Sequence, residues 1–196
     1  MNAPLPKLAN LLAPLLPRVE LEGEAAACVV GAHTAAQAVE RLEAAGFLSE
    51  AARLTAHALP KREAVWWACM CADAVPDVQT KPADAQARIA AEAWVRKPAE
   101  DALRRAAWDL VQKTDFRSPE AWAAVAAFWS GGSMAPEGLP VVPPGEHLTG
   151  VAVNGAVVMA AVRGRAERAD ARLGRFLASA REIAGGGAGR IAPEEN

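Results

Sequence analysis

Tyrosine is missing from this chain, and phenylalanine occurs only four times. β-Branched residues are thinly spread while alanine is abundant. That mix disfavours sheet and favours helix. Cysteine is sparse and odd in number, at three, and two of the three sit inside one apolar stretch. An odd count placed that way makes no disulfide framework and points to a reducing, cytoplasmic setting. Charge of one sign is not in excess either: the formal net charge is −2 and the isoelectric point lies near 6.0. The chain therefore carries no overall electrostatic footprint for nucleic acid, and none is expected as a partner. Long hydrophobic runs are wanting as well. The longest uncharged stretch late in the chain, Leu148 to Val162, contains Asn154 and two glycines and is too short for a bilayer. No transmembrane span is expected. At the start, Pro4, Pro6, Pro14 and Pro17 break the apolar run and Lys7 is the single basic residue before Arg18, so no secretory signal is expected.

The chemistry-bearing motifs are missing too. Cys69 and Cys71 are two apart, so on a helix they face different ways, and no second pair completes a zinc set. His33, His57 and His147 fall in no metal-binding spacing. Ser130-Gly131-Gly132-Ser133 follows a helical pattern and lacks the lysine of a phosphate loop. It also lacks the Gly-x-Ser-x-Gly order of a nucleophile elbow, and reads as a helix C-cap with a tight turn. No catalytic residue, metal or cofactor is expected on these grounds.

What is present is a helical pattern built around Ala58 to Ala72. Pro60 suits a first helical turn, Glu63 favours its positive end, and Ala64 to Ala72 carry no charge. A helix apolar on all sides belongs inside a protein. The spacing predicts a central buried helix over about residues 60–73, against which the other helices pack. Before it, Thr34 is a plausible N-cap for a helix that Gly46 stops, and a second helix, Phe47 to Leu59, returns antiparallel. After it, Pro82, Pro98 and Pro119 open three look-alike helices, to Arg96, Lys113 and Ser130. The expected fold is all-α: an irregular bundle, or short stack of antiparallel helix pairs, with a long C-terminal helix. The length suits one domain with appendages. Residues 1–24 form a Leu/Pro-rich arm, 25–136 the helical core, 137–147 a polyproline-like connector, 148–184 a C-terminal helical segment, and 185–196 a glycine-rich flexible tail.

Some segments have two readings. The arm's leucines either dock on the domain's own surface or enter a partner's groove. Cys28-Val29-Val30 is a short strand or a helical turn. Val151 to Ile183 is one helix or two joined near Gly164. The arginines from Arg163 to Arg175 alternate with Glu167 and Asp170 and read as a solvated face. Six tryptophans, one or two per helix, are expected in the core. Trp67, next to the polar head Lys61-Arg62-Glu63, is the one expected to reach the surface.

The segments Ala58-Leu59-Pro60-Lys61-Arg62-Glu63-Ala64-Val65-Trp66-Trp67-Ala68-Cys69 and Ala127-Phe128-Trp129-Ser130-Gly131-Gly132-Ser133, with the Pro-rich path to His147-Leu148-Thr149, resemble an uncharacterised bacterial family, a domain of unknown function. The resemblance spans about Thr34 to Val162. It implies a coherent domain and, through an association with type VI secretion, an accessory or adaptor role there; it brings no assigned site residues. The expected function is a cytoplasmic, non-enzymatic protein-interaction module. The expected contact surface is Lys61, Arg62, Glu63 and Trp67 beside Ser130, Gly131, Gly132 and Ser133. The alternative is a small-ligand-binding protein or an enzyme using a tryptophan-lined site. The partner is a protein, and the sequence allows a homo-oligomer.

Overall fold

Prolines and hydroxyls set where the helices begin. In the computed structural model, which describes residues 5–194, Thr34 opens a helix with a full capping box: its hydroxyl accepts the Gln37 N–H, and the Gln37 side chain accepts the Thr34 N–H. Ser118 caps another through the Ala121 N–H at 3.1 Å, just ahead of Pro119. The Ser118 hydroxyl also donates to Asp84, in the first turn of the helix that Pro82 opens, at 2.7 Å. Two helix entrances are thereby tied together.

Ten α-helices result among the described residues: α1 (Leu16–Val19), α2 (Gly23–Cys28), α3 (Ala35–Ala44), α4 (Leu48–Ala58), α5 (Lys61–Ala74), α6 (Pro82–Arg96), α7 (Asp101–Val111), α8 (Pro119–Phe128), α9 (Leu148–Val162) and α10 (Ala169–Ala184). No strand occurs among those residues; the nearest thing is an isolated bridge between Leu11 and Thr34. The fold is all-α with a long C-terminal helix, as the composition implies. Cys28 closes a short helix, which decides between strand and helical turn for Cys28-Val29-Val30. Pro98 opens no helix. It sits in a turn closed by the Glu100 N–H on the Lys97 carbonyl, because the chain must reverse before α7 can begin at Asp101.

Helix α5 is in the middle, as its uncharged run predicts. Beyond its first three residues only Trp66 and Asp73 escape burial. It shares the centre with α8, buried except at Trp122, and with α9, which packs against α4, α5, α8 and α10. Alanines at 123, 124, 126, 127, 152, 156, 160 and 161 are buried and let these backbones approach closely. Two glycines in α9 serve the same end: Gly155 lies 3.6 Å, measured from where a Cβ would stand, from the Trp122 ring, and a Cβ at Gly150 would collide with the His57 imidazole.

The C-terminal helical segment divides in two. Gly164, at φ +68°, takes a left-handed turn that other residues resist, and α10 starts after a short 3-10 turn at Ala166–Arg168. The arm folds onto its own domain: Leu8, Leu12, Leu15 and Val19 are buried, and backbone bonds join Leu12 to His33 and Ala35 to Asn10. Those leucines are not offered to a partner's groove, although Leu11 and Leu16 face solvent. Residues 1–4 of that arm lie outside the described residues.

The expected flexible tail is a correction. From Gly185 to Glu194 the chain runs as a strap along α10 and α5. The Ser179 hydroxyl donates to the Gly189 carbonyl, the Trp66 indole N–H donates to the Ala188 carbonyl at 2.7 Å, and the Glu194 N–H reaches the last residue of α5, Ala74, at 2.9 Å. Gly189 is there because a Cβ would strike Ile183. Glycine in this strap permits close contact. Residues 195 and 196 of the expected tail lie outside the described residues.

Candidate protein-binding surface

The head of α5 is built from Pro60, whose extended backbone precedes Lys61, the first helical residue. Arg62 leans on the end of α6, where its Nε donates to the Val95 carbonyl at 2.8 Å. Glu63 pairs with Lys7 of the arm at 3.0 Å and approaches Arg62 at 3.7 Å. Arg62 remains half open, its side chain 54 % exposed. One turn on, at the i+4 position, stands Trp66. These residues, with Arg96 and the strap at Gly186 to Ala188, border an open cleft of about 330 Å³. Arm, hub helix, α6 and strap meet there.

Trp67 is not part of this surface. It is fully buried, and its indole N–H donates to the Phe176 carbonyl of α10 at 2.8 Å. One residue turns a helix by about 100°, so the neighbour, Trp66, takes the cleft and Trp67 takes the core. An expectation that Trp67 reaches the surface is therefore corrected. The i+4 rule does not choose between them in the sequence, since Trp66 follows Arg62 and Trp67 follows Glu63 at the same spacing.

The Ser130–Ser133 loop answers a different demand. Arg104 is 3 % exposed. Its Nε pairs with Asp101 at 2.6 Å, while Nη1 and Nη2 donate to the carbonyls of Phe128 and Ser133 at 2.9 and 3.0 Å. The guanidinium also lies over the Phe128 ring, 4.8 Å from its centroid. Gly132, at φ +63°, turns the chain around this group, and a Cβ there would come within 2.7 Å of Nη2. Gly131 has open space where a Cβ would go. Ser130 donates its hydroxyl to the Ala126 carbonyl, and the Ser133 hydroxyl accepts the N–H groups of Ala135 and Val142. The loop is a helix cap wrapped around a buried cation. No hydrogen bond or ion pair among the described residues joins it to Lys61, Arg62 or Glu63. The two motifs belong to different constructions.

At the other end of α5 lies a buried ionic network that a solvated-face reading of the arginines misses. Arg163 and Glu120 form a two-pronged pair with side chains only 10 % and 5 % exposed, and Arg163 also donates to the Val75 carbonyl. Arg172 donates to the Ala161 and Arg163 carbonyls at 2.9 and 2.6 Å, closing the C-terminus of α9, and holds Glu194 with two further bonds. Orphan carbonyls at a helix end recruit such cations. The pairing with Arg172, aided by the charges of Arg168 and Arg175, holds the Glu194 carboxyl below the usual glutamate range. Clefts of about 480 and 650 Å³ open beside this network, the first edged by the Lys81–Asp115 pair and the second by Arg165 and Arg168.

The remaining reactive groups are enclosed. Burial raises both the Cys69 and Cys71 thiols well above their ordinary range, so neither supplies a thiolate near neutrality. His57 is pushed down to about 4, first by burial and then by the charges of Arg18, His147 and Arg53. It is a neutral imidazole at pH 7, packed on Gly150, with no hydroxyl or carboxylate hydrogen-bonded to it among the described residues. Among those residues no three His, Cys, Asp or Glu side chains cluster to hold a metal. None of the described helices is long and apolar enough to cross a membrane.

These features define an all-helical domain with a closed, alanine-packed centre and an aromatic, cationic cleft at one end. The chain belongs to DUF6931, a family of unknown function, whose model matches residues 38–184. No curated protein and no solved structure matches it.

Proposed function

We propose that this protein is a non-enzymatic interaction module whose cleft at the head of α5 receives an acidic segment of a protein partner. The observation that carries the reading is the grouping of Trp66, Arg62 and Arg96 on one open cleft. Tryptophan and arginine are the side chains most often found at the energetic centres of interfaces. Lys7, Arg62 and Arg96 outnumber Glu63 there, and Lys61 adds a further charge at the helix head, which favours an acidic partner. Of the six tryptophans only Trp66 borders any of the clefts described above. The others fill space or stack, as Trp108 does on Phe128 with ring centroids 4.6 Å apart. That distribution supports the interaction reading over a tryptophan-lined ligand site.

The setting we propose, from the resemblance of the two tryptophan motifs, is the bacterial cytoplasm, with the partner a component of a type VI secretion apparatus. The test is affinity purification from the native cell with the wild-type chain and with Lys61→Glu/Arg62→Glu, each shown to be folded by its thermal unfolding curve. Loss of acidic partners from the double variant is expected. An unchanged partner set in a folded variant overturns the cleft assignment, and a partner set without secretion components overturns the setting.

A further inference from the structure

The connector between α8 and α9 is more than a spacer. Proline fixes its own φ near the polyproline II value and pushes the preceding residue towards the same region. In Leu139-Pro140-Val141-Val142-Pro143-Pro144 those two rules govern every residue except Val141. The structure leaves 140–145 without helix, turn or strand. A polyproline II helix repeats every three residues, so Pro140 and Pro143 share one edge of the extended stretch; Leu139 precedes it in a bend, its N–H bonded to the Pro136 carbonyl. The sequence carries two hydrophobic–proline steps there, Leu139-Pro140 and Val142-Pro143.

Apolar residues in a connector normally turn inward or are few. Here Leu139, Val141 and Val142 are 58, 75 and 48 % exposed. The segment is nevertheless held firmly. The Val142 N–H donates to the Ser133 hydroxyl at 3.0 Å, and the Val142 carbonyl accepts the Met134 N–H at 2.8 Å. Glu146 is bound by Arg18 at 2.7 Å, and Glu137 lies 3.6 Å from Arg105. The carbonyls of Pro140, Val141 and Pro143 receive no donor from the described residues. A fixed, extended, apolar strip with open acceptors is the form in which proline-rich ligands are read by aromatic-lined grooves, whose indole and phenol donors reach such carbonyls.

We infer that Leu139–Pro144 is a preorganised ligand for a partner domain with an aromatic, polyproline-reading groove. The flanks set the charge of that groove. Glu137 and Glu146 remain 83 and 81 % exposed despite their neighbours, and no lysine or arginine lies in the sequence between them. The groove that fits is therefore rimmed by Lys or Arg. This strip shares no residue with the cleft at the head of α5, so each surface stands or falls separately.

The test is titration of the full-length chain into purified SH3-type and WW-type domains with basic groove rims, followed by the fluorescence of the groove tryptophan. Saturable binding to at least one of these is expected, weakened about tenfold or more by Pro140→Ala/Pro143→Ala. Leu139→Asp, at an exposed position, is expected to weaken it equally and serves if the proline variant loosens the fold. A peptide spanning residues 137–146 should compete. Absence of saturable binding across both classes overturns the inference. So does binding that both variants leave unchanged, or binding that salt abolishes while the variants do not affect it.

Discussion

The helical body and the two segments that flank it are held by different forces. Within residues 38–184, the part that matches the family, α5, α8 and α9 are enclosed by one another and by α4 and α10. Their stability comes from apolar area removed from water, with buried arginines closing the helix ends. The arm before residue 38 and the strap after residue 184 have no such enclosure. The arm is pinned, among the described residues, by seven buried apolar side chains: Leu8, Leu12, Leu15, Val19, Ala25, Val29 and Ala35. The strap is pinned by carbonyls bonded to Trp66 and Ser179 and by the charge of Glu194. The family fold is thus the self-sufficient part, and the flanks attach to it through a few anchors. Both flanks meet at the cleft beside Trp66, so the proposed binding surface is made partly of residues outside the family match.

That contrast predicts a graded response to substitution. Trp67→Ala should have the largest effect, about 3–5 kcal/mol of unfolding free energy in urea, because it empties a filled centre and removes the indole bond that ties α5 to the Phe176 carbonyl of α10. Removing one partner of the buried Arg163–Glu120 pair by Glu120→Ala should cost about 3 kcal/mol or more, since it strands a charge. Leu12→Ala, in the arm, should cost about 2 kcal/mol. Its effect should appear first as faster hydrogen exchange at Leu12 and Ala35, whose N–H groups bond across that seam, with α8 and α9 unaffected. If Leu12→Ala instead accelerates exchange throughout the body, arm and body are one cooperative unit and the contrast fails.

The sequence discloses the fold class and most helix starts because those depend on local chemistry. Thr34 with Gln37 and Ser118 satisfy orphan N–H groups in their own first turn, while Pro82 and Pro119 simply lack one. The entry to α7 is less legible, since Pro98 is equally at home in a turn. The centrality of α9 is hidden for another reason. A helix apolar all round has no stripe to show which side faces inward, and the same lack of stripe leaves Trp66 and Trp67 indistinguishable in α5 until their neighbours are known. The buried arginines are harder still. Arg104, Arg163 and Arg172 look like surface residues by type, and only the position of free carbonyls from distant helix ends draws them inside. Of the candidate contact residues, Arg62 and Glu63 line the cleft, Lys61 heads its helix, and Trp67 belongs to the core. Ser130, Gly131, Gly132 and Ser133 build the cap around Arg104.

Acid should separate body from strap in two windows. His57 in the body is held at about 4, against an ordinary value of 6.5, by burial and by Arg18, His147 and Arg53. Unfolding frees it to take a proton, so its contribution is present above pH 6.5 and is lost as pH falls from there towards 4. His57→Asn should flatten that part of the stability profile. Glu194 behaves in the same sense but lower down. Its folded pKa lies below the ordinary value of 4.5 through the Arg172 pair. Its contribution is therefore full above that value and is lost as pH falls through the depressed one. This effect is the smallest of the set, because Glu194, held by Arg172 with Arg168 and Arg175 beside it, anchors only a short segment. It should be visible as loss of exchange protection at the Glu194 N–H, bonded to Ala74, at acid pH. Glu194→Gln should bring the same loosening at neutral pH, with the urea midpoint of the body nearly unchanged. If that midpoint falls together with the strap's protection, the strap is a structural member of the bundle, and the division between family fold and attached flank has to be redrawn.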